Sequence, residues 1–224
     1  MQKRTIYLGD YDTAAHKWTL TGWSFPEPEP ETYMVSVPGR IKGPLDLSTA
    51  LTDGEPVYGP RPLNVTLETS EDDRLTREDR ISGMVNALHG RRIEPIVLPD
   101  DPGHFIVGRL TVKRLYNDLA HGSVEVSGTC EPWRYAVDET VVELTATTTE
   151  QTATLWNSGT MPVLPVLMVT AGSGETLQLT YNGARLSLSV GTYEWPELLL
   201  TSGSHDITYS GAGTLKITYR EAVL

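Results

Sequence analysis

The sequence predicts a mainly β protein built as two β-sandwich domains, the first of which carries one amphipathic α-helix. Three observations lead there. Leu177, Leu179 and Tyr181 alternate with polar residues, Asn182-Gly183 follows, and Leu186, Leu188 and Val190 alternate again. A period of two on either side of a dipeptide that accepts two positive φ angles predicts a hairpin with one buried face. The 20 glycines and 15 prolines in 224 residues exceed the roughly 12% average for the pair, which favours many turns and short strands. Helical spacing (i, i+3, i+4, i+7) is convincing in one place, at Ile81, Met84, Val85 and Leu88, so a single helix is expected.

Along the first half, short β-like segments at Tyr33–Val37, Leu63–Thr69, Phe105–Leu115 and Ser123–Gly128 surround that helix, expected over residues 76–89. Thr76 is the expected cap, Glu78 and Asp79 favour the positive end of the helix dipole, and Gly90 ends it. Its apolar stripe needs a sheet face to cover, which makes this half a β-sandwich or barrel with an added helix. Pro26-Glu27-Pro28-Glu29-Pro30-Glu31 cannot donate a full ladder of hydrogen bonds and is expected to be an extended surface arm. In the second half, strands near 141–147 and 163–170 join the 177–190 hairpin. Ile207 and Tyr209 before Gly211-Ala212-Gly213, with Leu215, Ile217 and Tyr219 after it, predict a second hairpin, which together make a β-sandwich.

Composition divides the chain near Cys130. Residues 1–130 hold 14 Lys+Arg and 19 Asp+Glu, whereas residues 131–224 hold 4 and 10. Domains are therefore expected at 1–130 and 131–224. The net charge of −11 excludes a protein that gains affinity by neutralising phosphates along nucleic acid. One cysteine, Cys130, supplies neither an internal disulfide nor the paired thiolates of a structural zinc site. Met1-Gln2-Lys3-Arg4-Thr5 is followed by Ile6-Tyr7-Leu8-Gly9-Asp10, not by the apolar run of a signal peptide, so the chain is expected to start life soluble in a cytoplasm, without membrane insertion.

Catalytic, metal and cofactor chemistry needs groups that converge, and the sequence supplies none. His16, His89, His104, His121 and His205 are scattered with no HExxH pair. Asp10 and Asp12 are spaced like the start of a calcium loop but lack its glycine and distal glutamate. Gly172-Ser173-Gly174-Glu175-Thr176 has the glycines of a phosphate loop without its lysine, and reads as a turn. Glu71-Asp72-Asp73 and Asp100-Asp101 are adjacent carboxylates that point apart and suit solvated loops. Trp156, Tyr193 and Trp195 are candidates for stacking on carbohydrate, set against the commoner use of such rings in cores and interfaces.

Longer motifs are more specific. Val37-Pro38-Gly39-Arg40-Ile41-Lys42-Gly43-Pro44-Leu45-Asp46-Leu47-Ser48, followed by Val57-Tyr58-Gly59-Pro60-Arg61-Pro62-Leu63, resembles the VPGRDGxLDLT … YGxRxL segment of distal tail proteins of long-tailed, non-contractile bacteriophages. Leu88-His89-Gly90, Ile96 to Pro102, Cys130 to Tyr135, Asn157-Ser158-Gly159, Gly191-Thr192-Tyr193 and Ile217 to Arg220 occur in that family's order, so the resemblance spans nearly the whole chain. Ile41-Lys42 departs from the acidic residue common in the family there. The resemblance implies a ring-forming N-terminal β-sandwich with helix and a galectin-like C-terminal β-sandwich. It further implies a structural, non-enzymatic virion protein at the distal end of the tail, assembled in the host cytoplasm. Such a homo-hexamer would join the tail tube protein to a tail-associated or tip protein of the baseplate, with receptor-binding proteins or host glycans as further partners and DNA in transit through the ring. Arg40, Lys42, Gly43, Asp46 and Arg61 are the ring-interface candidates, and a neutral or acidic channel wall is expected. The alternative from another class is a carbohydrate-binding module or lectin-like adhesion protein acting through Trp156, Tyr193 or Trp195.

Overall fold

The structure is a computed structural model that describes residues 5–39, 42–52, 54–70, 73–118, 120–170 and 175–224. It is mainly β, and it separates into two compact units, Met1–Arg134 and Tyr135–Leu224.

In chain order the first unit contains β1 (Tyr7–Leu8), β2 (Tyr11–Asp12), β3 (Thr19–Ser24), β4 (Met34–Val35), β5 (Leu45–Asp46), β6 (Arg61–Thr69), α1 (Arg74–Leu88), β7 (Arg92–Leu98), β8 (Asp101–Asn117) and β9 (Gly122–Cys130). Its sheet runs β2-β1-β7-β8-β9-β6-β3, while β4 and β5 form a separate two-stranded ribbon. Strand β6 alternates strictly, with Leu63, Val65 and Leu67 buried. Val65 pairs with Val126 and Leu67 with Val124, and Val126 pairs in turn with Val112, so one apolar face continues across three strands. Ile81, Met84 and Leu88 of α1 cover it in a single buried cluster. The expected stripe is thus the one that packs, although Val85 is only half-buried.

The start of the helix differs from the expectation. Asp73 is the N-cap: its carboxylate accepts from the Thr76 amide at 2.8 Å and the Thr76 hydroxyl at 2.7 Å. A carboxylate placed three residues ahead is the better acceptor at the positive end of the dipole, so Thr76 becomes its donor and not the cap. Glu78 and Asp79 then lie beyond the first turn, and Glu78 takes Arg114 and Asn117 as partners. The helix ends at Leu88, with His89 as C-cap.

The second unit contains β10 (Arg134–Ala136, which begins one residue before the boundary), β11 (Thr140–Ala146), β12 (Gln151–Asn157), β13 (Val166–Thr170), β14 (Leu177–Tyr181), β15 (Ala184–Leu188), β16 (Gly191–Glu194), β17 (Gly203–Gly211), β18 (Gly213–Tyr219) and β19 (Ala222–Val223). Two four-stranded sheets, β11-β18-β13-β16 and β12-β17-β14-β15, contribute Leu167, Leu215 and Ile217 on one side and Leu155, Leu179 and Ile207 on the other to one buried cluster. That is a β-sandwich. The Tyr219 hydroxyl donates across it to the Trp156 carbonyl at 2.7 Å, and burial pushes its pKa up.

The Asn-Gly hairpin forms as expected. Asn182 and Gly183 have φ of 47° and 82°, and Leu177 pairs with Leu188 and Leu179 with Leu186. Val190 falls beyond the strand and is exposed. The second expected hairpin does not form: β17 pairs with β12 and β14, whereas β18 pairs with β11 and β13. Gly211-Ala212-Gly213 is a corner that carries the chain from one sheet to the other. Gly211 takes φ of 122°, and a Cβ there would run into the Thr176 carbonyl oxygen and lie 3.0 Å from Leu177 Cα.

That corner gives a test. Gly211→Ala is expected to destabilise the protein by about 3 kcal/mol, from strained φ plus backbone overlap. Gly183→Ala, with positive φ but open space around it, is expected to cost only about 1 kcal/mol. Urea unfolding of both variants measures the difference.

Candidate functional site

The 26–60 segment is held at its root by one side chain. Arg61 is 2% exposed. Its Nε donates to the Pro26 carbonyl at 2.7 Å, Nη2 to the Phe25 carbonyl at 3.4 Å, and Nη1 to the Pro132 carbonyl at 3.2 Å. Glu27 lies 3.5 Å away, and the guanidinium sits 3.8 Å from the centroid of the Phe25 ring. The five-donor fork of arginine suits this demand, since three carbonyls from two chain segments, Phe25-Pro26 and Pro132, converge on it. Burial pulls its pKa down, opposed by Glu27. Expected from the sequence as a ring-interface residue, Arg61 is instead buried inside the protomer, with its donors spent there.

Beyond that root the segment is extended. Glu31 N–H donates to the Val57 carbonyl at 2.7 Å and Gly59 N–H to the Glu29 carbonyl at 3.0 Å. Past those bonds it carries an apolar surface facing solvent: Tyr33 is 64%, Met34 56% and Leu51 99% exposed. Of the interface candidates, Arg40 lies outside the described residues. Lys42 and Gly43 are exposed before β5, and Gly43 has φ of 82°. Asp46 is exposed on β5, and its carboxylate accepts from the Ser48 hydroxyl at 2.5 Å and the Ser48 amide at 2.9 Å, which lowers its pKa, the hydroxyl contributing most. Lys42, Gly43 and Asp46 therefore share one projecting ribbon with the exposed apolar residues, and Arg61 does not.

The carbohydrate candidates also separate. Trp195 is buried in the core of the second unit and is unable to stack on a ligand. Tyr193 is half-buried, its hydroxyl tied to Ser189. Trp156 is 58% exposed.

Four of the histidines and Asp12 are engaged locally. His16 stacks on Tyr11 with ring centroids 4.1 Å apart, His89 meets the Val112 backbone, His104 lies 2.8 Å from Asp101, and His205 bridges Tyr181 and the Thr201 carbonyl. Asp12 caps its own turn by accepting from the Ala14 and Ala15 amides. No group of three or more His, Cys, Asp or Glu able to hold a metal ion occurs among the described residues. Residues 172–174 of the glycine-rich loop, like Glu71 and Asp72, lie outside the described residues. No helix among the described residues is long and apolar enough to cross a membrane.

No protein-family model matches the chain, and no curated protein matches it. Among solved structures it is similar to the crystal structure of the Dit protein (gp 19.1) of phage SPP1, described as a paradigm of the hub adsorption apparatus in phages infecting Gram-positive bacteria. The likeness has a TM-score of 0.67 at 15% identity and covers 98% of this chain and 99% of that one. The chain shares that protein's fold. The resemblance drawn from Val37–Ser48 and Val57–Leu63 is thus met at the level of architecture, along the whole length of both chains.

Two expectations about single residues follow. Arg61→Ala, which removes the donor shared by the Phe25, Pro26 and Pro132 carbonyls and empties a buried site, is expected to destabilise the protein by about 3 kcal/mol in urea unfolding, and Arg61→Lys is expected to recover only part of that. Burial pushes the Cys130 thiol up to about 12, so at pH 8 only about one molecule in ten thousand carries a thiolate. Aromatic disulfide reagents should react with Cys130 at once in denaturant and very slowly in the native protein.

Proposed function

We propose that the chain is a structural, non-enzymatic subunit of a phage tail hub that closes into a hexameric ring between the tail tube and the tip proteins of the baseplate, with DNA passing through the hole. The observation that carries this reading is the end-to-end fold likeness to a phage hub protein, extending over both units. The first unit would form the ring, and the second, taken as a galectin-like sandwich, would stand outside it. Its place would be the distal end of the virion tail, with assembly in the host cytoplasm.

The β4-β5 ribbon would supply a subunit contact. Tyr33, Met34 and Leu51 are each exposed in the free chain, and exposed apolar side chains suit a partner surface. At the root of the same segment, a cleft of about 510 Å³ is lined by Glu27, Glu29 and Glu31 among prolines. In a head-to-tail contact the ribbon of one copy, with Lys42 at its turn, would reach this acidic cleft on the next, and such a contact closes into a ring if its rotation allows. The net charge of −11 favours a channel wall that does not hold DNA.

Light scattering after size-exclusion, with and without tail tube protein, and negative-stain microscopy test the reading. Six-fold rings with a central hole are expected. A strict monomer that also fails to join tube protein would refute it. Tyr33→Ser combined with Leu51→Ser should weaken ring assembly at least about tenfold while changing stability by no more than about 0.5 kcal/mol per site, because both side chains are solvated in the protomer.

A further inference from the structure

Strand β12 places Leu155 and Asn157 in the interior, so the period of two forces Trp156 between them onto the outer face of the sheet β12-β17-β14-β15. Its ring belongs to neither buried cluster. The surroundings of this indole are unlike those of an apolar protein-docking patch. Trp156 pairs in register with Ser204, and the next outward pair is Thr154 with Asp206. All three neighbours are exposed. The Thr154 hydroxyl donates to Asp206 Oδ1 at 2.6 Å, which fixes the carboxylate and leaves its other oxygen free to accept. Directly opposed residues stand about 5 Å apart and diagonal ones about 7–8 Å, so the register puts Ser204 and Asp206 beside Trp156 on the outer face of the sheet.

We propose that Trp156, Ser204 and Asp206 form a binding subsite for a neutral pyranoside on the outer face of the second unit. The chemistry selects that ligand. One face of a pyranose presents polarised C–H bonds, which match the negative face of an indole, and its ring hydroxyls match a fixed carboxylate acceptor and a hydroxyl that both donates and accepts. A protein partner would be expected to need further apolar anchors around the tryptophan to exclude water, and the immediate neighbours are hydroxyl and carboxylate groups. Asp206 repels anionic sugars, so uronic and sialic acids are excluded. The inference is independent of ring formation, since every residue in it lies in the second unit.

Saturation-transfer NMR on the full chain, with maltose, cellobiose, lactose and chitobiose as probes and glucuronic and sialic acids as anionic controls, tests it. At least one neutral disaccharide is expected to receive saturation, strongest on the C–H protons of one pyranose face. Trp156→Ala should weaken that binding at least about tenfold, Trp156→Tyr should retain part of it through its flat ring, and Asp206→Asn should weaken it less than loss of the indole does. The side chains are exposed, so thermal unfolding of the variants should match the parent, and Trp156→Tyr keeps the test open if the alanine variant unfolds. Saturation of none of the neutral disaccharides, of anionic sugars only, or of Trp156→Ala to the same extent as the parent would overturn the proposal.

Discussion

The buried guanidinium of Arg61 is the constraint on which the course of the first unit's 26–60 segment depends. It binds carbonyls from Phe25, Pro26 and Pro132, so the start of the arm, its end and the chain leaving β9 meet at one charge. A proline-rich segment has few amide donors of its own, and its carbonyls must find partners elsewhere when they approach the core. Arginine supplies those donors from a side chain that is itself buried. Once the root is fixed, the rest of the segment runs outside the core, and Tyr33, Met34 and Leu51 are left exposed to solvent.

In the second unit the corresponding constraint is strand parity across two layers. Each strand buries every other side chain, and the two inner faces interdigitate around Leu155, Leu179, Ile207, Leu215 and Ile217. The same parity decides what faces out. Trp156 is presented to solvent because its two neighbours are claimed by the interior, and the Tyr219 hydroxyl reinforces this by bonding the Trp156 carbonyl from the opposite sheet. Asn157 is fully buried and satisfies the corner that follows, donating to the Met161 and Leu200 carbonyls while accepting from the Gly159 amide. A core asparagine therefore locks the strand that displays the tryptophan.

The two units thus use opposite means to create surface. The first sends a long excursion away from a sheet and anchors it by charge, whereas the second keeps a regular sheet and exposes one large ring among small polar groups. The likeness in fold to the SPP1 protein covers both.

Much of this architecture was legible in the residues alone. The strict alternation in Leu177–Leu188 around Asn182-Gly183 determined a hairpin, because side-chain period and turn φ are local properties. The Ile81–Leu88 stripe determined a helix and its buried face for the same reason. The motif Tyr58-Gly59-Pro60-Arg61 did not reveal that the Arg61 guanidinium is buried on backbone carbonyls of its own protomer, since a lone arginine in sequence reads as surface until the carbonyls around it are known. Gly211-Ala212-Gly213 read as a hairpin turn, and Trp195 and Trp156 read as equals, because alternation reveals that a strand has two faces without saying which strand lies beside it or which face meets the other layer. Those choices involve residues far apart in the chain. The tertiary structure decided them by assigning β17 and β18 to different sheets, by burying Trp195 and by leaving Trp156 in water.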